Sequence, residues 1–101
     1  MASIPTAAQV MARYQAMESL TLQEFIELLR QDISRQMRQD RIVIMLATGQ
    51  EYEIQQPSHQ YPHVIDALWV ANLNTIAQQF TNIGYSARLD NVENRLWISI
   101  P

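Results

Sequence analysis

The hydrophobic positions of this chain change period several times, and each change marks an element. From Thr6 to Met17 the apolar side chains Ala7, Val10, Met11, Tyr14 and Met17 recur at steps of three and four, which is one face of a short helix. Thr6, with Gln9 three residues later, supplies a capping box at its start. A helix this short is not stable alone in water, so its apolar face needs a surface to dock on. The second helix carries stronger punctuation. Thr21 is its N-cap, Glu24 sits three residues on, and Leu20 and Phe25 occupy the two ends of a hydrophobic staple. Leu22, Phe25, Ile26, Leu29, Ile33 and Met37 then share one face, predicting a helix from Leu22 to Arg38.

The pattern next becomes continuous. Arg41 to Ala47 is an apolar run of strand length, rich in β-branched side chains, and reads as a buried strand. Thr48 and Gly49 suit a two-residue turn, and Glu51 to Ile54 alternates as a partner strand should. Gln55 to Tyr61 is a loop. Pro62 opens a third helix reaching Asn82, with Ile65, Leu68, Trp69, Leu73, Ile76, Phe80 and Ile83 on one face and Gly84 as its left-handed cap. A closing hairpin pairs Tyr85–Leu89 with Arg95–Ile100 around Asp90–Asn94. Period two places Tyr85, Ala87, Leu89, Leu96, Ile98 and Ile100 on one face. Ser86, Arg88, Arg95, Trp97 and Ser99 fall on the other. The expectation is an α+β fold ordered α-α-β-β-α-β-β: one mostly antiparallel four-stranded sheet with its helices on a single face. Residues 1–101 make one domain, an arm over 1–19 and an α+β core over 20–101.

Composition narrows the chemistry. The chain has 101 residues, 48% apolar and 17% charged, with a net charge of −3. All seven cations are arginine, and there is no cysteine. Disulfides, cysteine-ligated zinc and thiol nucleophiles are therefore excluded. Two glycines leave no glycine-rich phosphate loop. Met1 to Pro5 lacks the basic and apolar regions of a signal peptide, and the uncharged stretch Ala67–Ala87 carries too many amides for a membrane span. Between His63 and Ile83 the only charge is Asp66, so the third helix is expected to be covered on more than one side.

Candidate sites are few. His59 and His63 are four apart, but Pro62 between them breaks helical spacing and no third ligand is marked. Ser58 beside His59 lacks an orienting acid and an oxyanion turn. Glu51 and Glu53 share a strand face in the manner of a solvated edge. Arg30, Arg35, Arg38 and Arg41 form the one basic cluster, yet they also complement the dipole of a helix whose first turns hold Glu24 and Glu27. No aromatic interleaves with them, which argues against a nucleic-acid partner. Asn72 falls on the stripe of the third helix. Trp97, with Arg88 and Arg95 on the same outer face, admits two readings: a ring stacked under arginine, or an interface anchor. Val10, Met11 and Tyr14 are the corresponding interface candidates on the first helix.

Two stretches carry a resemblance. They are Ile83, Gly84, Tyr85, Ser86, Ala87, Arg88 and Leu89, a helix ending in glycine and an aromatic, and Arg95, Leu96, Trp97, Ile98, Ser99 and Ile100, a closing apolar-serine-apolar strand. With the elements from Arg41 onward, they resemble small α+β proteins of tailed bacteriophages. That resemblance implies a virion component or accessory factor, without catalytic residues to carry over. The expected function is accordingly a non-enzymatic protein-interaction module, a phage structural or assembly component located in the virion or the host cytoplasm. Its expected partners are proteins, in a homo-oligomer or larger assembly, with no membrane and no cofactor. A small inhibitor of a host enzyme and a nucleic-acid-binding domain are the alternatives.

Overall fold

The computed structural model describes residues 3–17 and 20–101. Of the expected arm, Met1, Ala2, Glu18 and Ser19, with the side chains of Gln15, Ala16 and Met17, lie outside the described residues. Helix α1, Ala7–Met17, begins at the expected capping box: the Gln9 N–H donates to Thr6 Oγ1 at 3.2 Å, and the Thr6 N–H donates back to Gln9 Oε1 at 2.9 Å. Helix α2, Leu22–Gln36, is capped by Thr21 Oγ1, which accepts from the Glu24 N–H at 3.1 Å. It buries Phe25 and Leu29.

The segment expected as the first strand is a helix. Helix α3 spans Asp40–Ala47 and buries Ile42 and Leu46, while Val43 is 52% and Ile44 61% exposed. A strand would have put Ile42, Ile44 and Leu46 on one face; the observed period is four. Six apolar residues in a row, Ile42 to Ala47, carry no period of their own, so the ends decide. Asp40 stands in the first turn, where an acid suits the helix dipole. At the other end the Gln50 N–H reaches the Met45 carbonyl at 3.1 Å, and the Gly49 N–H reaches that of Leu46 at 3.1 Å. With Gly49 at φ +85°, this is a Schellman cap. Thr48 Oγ1 adds a bond to the Ile44 carbonyl at 2.9 Å. The pair Thr48-Gly49 therefore stops a helix and does not turn a hairpin.

Strand β1, Tyr52–Glu53, consequently pairs elsewhere. It lies antiparallel to β3, Arg95–Ser99, which pairs on its other side with β2, Ser86–Asp90. The sheet has three strands in the order β1-β3-β2, and the chain runs α-α-α-β-α-α-β-β. The α+β class stands, and the four-stranded sheet and its element order are corrected.

The expected third helix is two helices, α4 over Pro62–Ala71 and α5 over Leu73–Thr81. They meet at Asn72, where φ is −125° and Nδ2 donates to the Leu68 carbonyl at 2.9 Å. A side-chain amide competing for the helix's own carbonyl is a local cause of such a break. The break does not divide the apolar stripe, since Ile65, Trp69, Leu73, Ile76, Ala77 and Phe80 are all buried. Ile83 departs from the expected stripe: it lies past the end of α5 and is 71% exposed. Ile100, expected on the inner face, is half exposed just beyond β3. Gly84 does adopt the expected positive φ, +101°.

Leu96 and Ile98 of β3 are fully covered and lie at the centre of the core, with Phe25 and Leu29 of α2, Ile42 and Leu46 of α3, and Ile76 and Phe80 of α5 packed around them. Trp69 closes one end. Its indole Nε1–H donates to the Asn94 carbonyl at 2.6 Å, tying α4 to the β2–β3 turn. The protein measures 59 × 27 × 21 Å with a radius of gyration of 17.1 Å. A compact domain of this length would have about 13 Å, and every described side chain of α1 from Ala7 to Tyr14 is exposed.

Two measurements check these assignments. In urea unfolding, Ile42→Ala and Leu46→Ala should each cost about 2–5 kcal/mol, while Ile44→Ser stays within about 0.5 kcal/mol. Equal losses at positions 42, 44 and 46 would restore the strand. Gly49→Ala meets no neighbouring atom, so it should cost about 1 kcal/mol through backbone strain alone.

Candidate interaction surfaces

The outer face of the sheet holds the first set of expected residues. Period two in β3 turns Trp97 away from the core side chains Leu96 and Ile98, and its neighbours across the sheet are Glu53 of β1 and Arg88 of β2. The Arg88 guanidinium carbon stands 4.0 Å from the indole centroid, and that of Arg95 4.8 Å. Both arginines are engaged at their other ends. Arg88 donates from Nε and Nη2 to Glu51 at 2.8 and 3.1 Å, a two-point grip on one carboxylate. Arg95 donates from Nη2 to Glu53 at 2.6 Å and from Nη1 to Glu93 at 3.4 Å.

Hydrogen bonding from Arg88 holds the Glu51 carboxyl below the usual carboxylate range, and the same pair raises Arg88. Arg95 is raised first by its hydrogen bond to Glu53. Trp97 is therefore half-buried in a lattice of its own chain's charges. Of the two readings the sequence left open, stacking under arginine is the one this geometry displays. Sequence reasoning missed that Glu51 and Glu53 complete the lattice, because it paired β1 with the wrong segment.

The second set lies on α1. Val10 is 54% and Met11 53% exposed, and Tyr14 lies with its ring parallel to the His63 imidazole at 6.1 Å. Tyr61 continues this run of rings between His63 and His59, with centroids 6.3 and 5.8 Å away. His63 thus meets α1 through its ring contact with Tyr14. His59 Nδ1 also accepts the Tyr61 N–H at 3.0 Å. The spacing of His59, Tyr61 and His63 is visible in the sequence, but the approach of Tyr14 is not, since it comes from a separate element.

A third surface was not anticipated. Between α2 and the end of α5 runs an apolar groove of about 530 Å³, walled by Ile26, Leu29, Ile33, Met37, Phe80 and Ile83. Arg30 Nη2 reaches across to Gln79 Oε1 at 3.4 Å, and beyond that crossing the groove continues to Glu24 and Glu27. The amphipathic stripe of α2 is wider than the core covers fully, and Ile26, Ile33 and Met37 are its partly buried margin. Two arginines of the basic cluster are partly neutralised in place: Arg35 bonds Asp32 at 2.6 Å, and Arg30 lies 3.9 Å from Glu27. Among the described residues, no three metal-ligating side chains converge and no helix is long and apolar enough to cross a membrane.

The Arg88–Glu51 pair gives a pH prediction. Because Glu51 titrates lower in the folded state than in the unfolded one, the pair stabilises fully above the ordinary carboxylate range. That contribution is lost as pH falls through the folded value. By carboxyl NMR, Arg88→Gln should move the Glu51 midpoint upward; an unchanged midpoint would contradict the assigned cause. Comparison of the chain with protein-family models, with curated proteins and with solved structures found no match.

Proposed function

We propose that this chain is a non-enzymatic protein-interaction module that self-associates through α1, as a structural or assembly component of a phage particle. The observation that supports the interaction reading is the exposed apolar surface of α1 at Val10 and Met11. A helix of eleven residues does not hold its shape in water without burying a face. Here Val10 and Met11 are about half exposed, and Tyr14 lies against His63. An apolar groove is open on the same chain. Exposed apolar surface of this kind marks association sites in folded proteins. The phage setting rests on the resemblance of the Ile83–Leu89 and Arg95–Ile100 stretches, which here form the helix cap and the β2–β3 hairpin.

Light scattering at micromolar concentrations should give a particle at least twice the 11.7 kDa chain mass. The mass should persist in high salt, since apolar contacts, unlike phosphate contacts, are not weakened by it. A monomer at all concentrations would overturn self-association. Val10→Ser combined with Met11→Ser should change the stability of the isolated fold by no more than about 0.5 kcal/mol per site. The same variant should weaken self-association about tenfold or more.

A further inference from the structure

We infer that the α2–α5 groove is the seat of α1 from a second copy of this chain, so that two copies exchange their first helices. This rests on the self-association reading above and names its geometry. Three observations select this occupant. The groove accepts an apolar helix face, with Ile33, Met37, Phe80 and Ile83 along it, and α1 presents one at Val10 and Met11.

The lengths agree as well. Eleven residues of α1 span about 16 Å and the fifteen of α2 about 22 Å, so α1 lies along the groove without overhang. The charges agree and set the direction. Arg13 is the single charged residue of Ala7–Met17, on the flank of the apolar face, and the groove turns acidic at Glu24 and Glu27. Placing Arg13 beside those carboxylates lays α1 antiparallel to α2, with Val10 directed toward Ile33 and Ile83. Arg30 does not oppose this, since Glu27 and Gln79 already engage it. The exchange is reciprocal, which closes a two-fold dimer and uses both copies of each surface.

The absence of cysteine permits a clean cross-linking test. Val10→Cys and Ile83→Cys change exposed side chains, so both variants should fold as the parent does, and circular dichroism checks this. The two singly substituted chains are mixed and treated with a short bismaleimide, with Ile44→Cys, exposed on α3 outside the groove, as the control partner. The inference expects Val10–Ile83 heterodimers in clear excess over Val10–Ile44. Separately, Arg13→Glu should weaken association about tenfold, and adding Glu27→Arg in the same chain should restore it. A dimer by light scattering that forms no Val10–Ile83 link overturns the groove as the seat and leaves self-association standing. A doubly substituted chain that links only within itself, as a monomer, shows α1 folding onto its own groove and overturns the exchange. A monomer without links overturns both readings.

Discussion

The burial of Leu96 and Ile98 on β3 is the constraint on which the remaining structure depends. β3 is the central strand, hydrogen-bonded on both sides, and these two side chains are wholly removed from water. Burying them calls for helices against one face of the sheet, and α5 and α2 provide Ile76, Phe80, Phe25 and Leu29. Period two then sends Arg95, Trp97 and Ser99 to the opposite face whatever else happens. Trp97 is half-covered there by Arg88 and Arg95, and their carboxylate partners on and beside β1 fasten the short edge strand to the centre. The ion-pair lattice is thus a consequence of the core and a support for the strand that the core alone would hold weakly.

The same core is small. It takes up one stripe of α2, two residues of α3 and the stripe shared by α4 and α5, and it leaves the margin of α2 partly covered and Val10 and Met11 of α1 about half exposed. The surplus explains why the exposed helix and the open groove occur together. Each leaves apolar surface open to solvent, at Val10 and Met11 of α1 and along the α2–α5 groove. Polar chemistry is correspondingly local. The histidines lie among tyrosine rings, and Arg30, Arg35, Arg88 and Arg95 face carboxylates of the same chain.

Legibility in the sequence followed the strength of the local signal. The capping residues Thr6, Gln9, Thr21 and Glu24, the cap Gly84 and the β2–β3 hairpin were readable because each is set by neighbours in sequence. The run Arg41–Ala47 was not. Its apolar residues satisfy strand and helix alike, and Gly49 at positive φ serves a hairpin turn or a helix cap equally well. That one ambiguity displaced β1, which then hid the partners of Arg88 and Arg95. The outward position of Trp97 survived the error because it depends only on the period of β3. The groove was invisible for another reason. Ile26, Ile33 and Met37 look like core on a helical wheel, and only the packing of α5 shows how far the core extends.

The central claim is that α1 has no sufficient partner within its own chain. Hydrogen–deuterium exchange across a dilution series tests it most directly, by reading the amides of Val10 to Gln15 against those of Leu96 and Ile98. The account requires protection of α1 that rises with protein concentration while protection of β3 stays constant. Protection of α1 that is strong and independent of concentration would mean that the helix is stabilised within one chain, and would contradict the account.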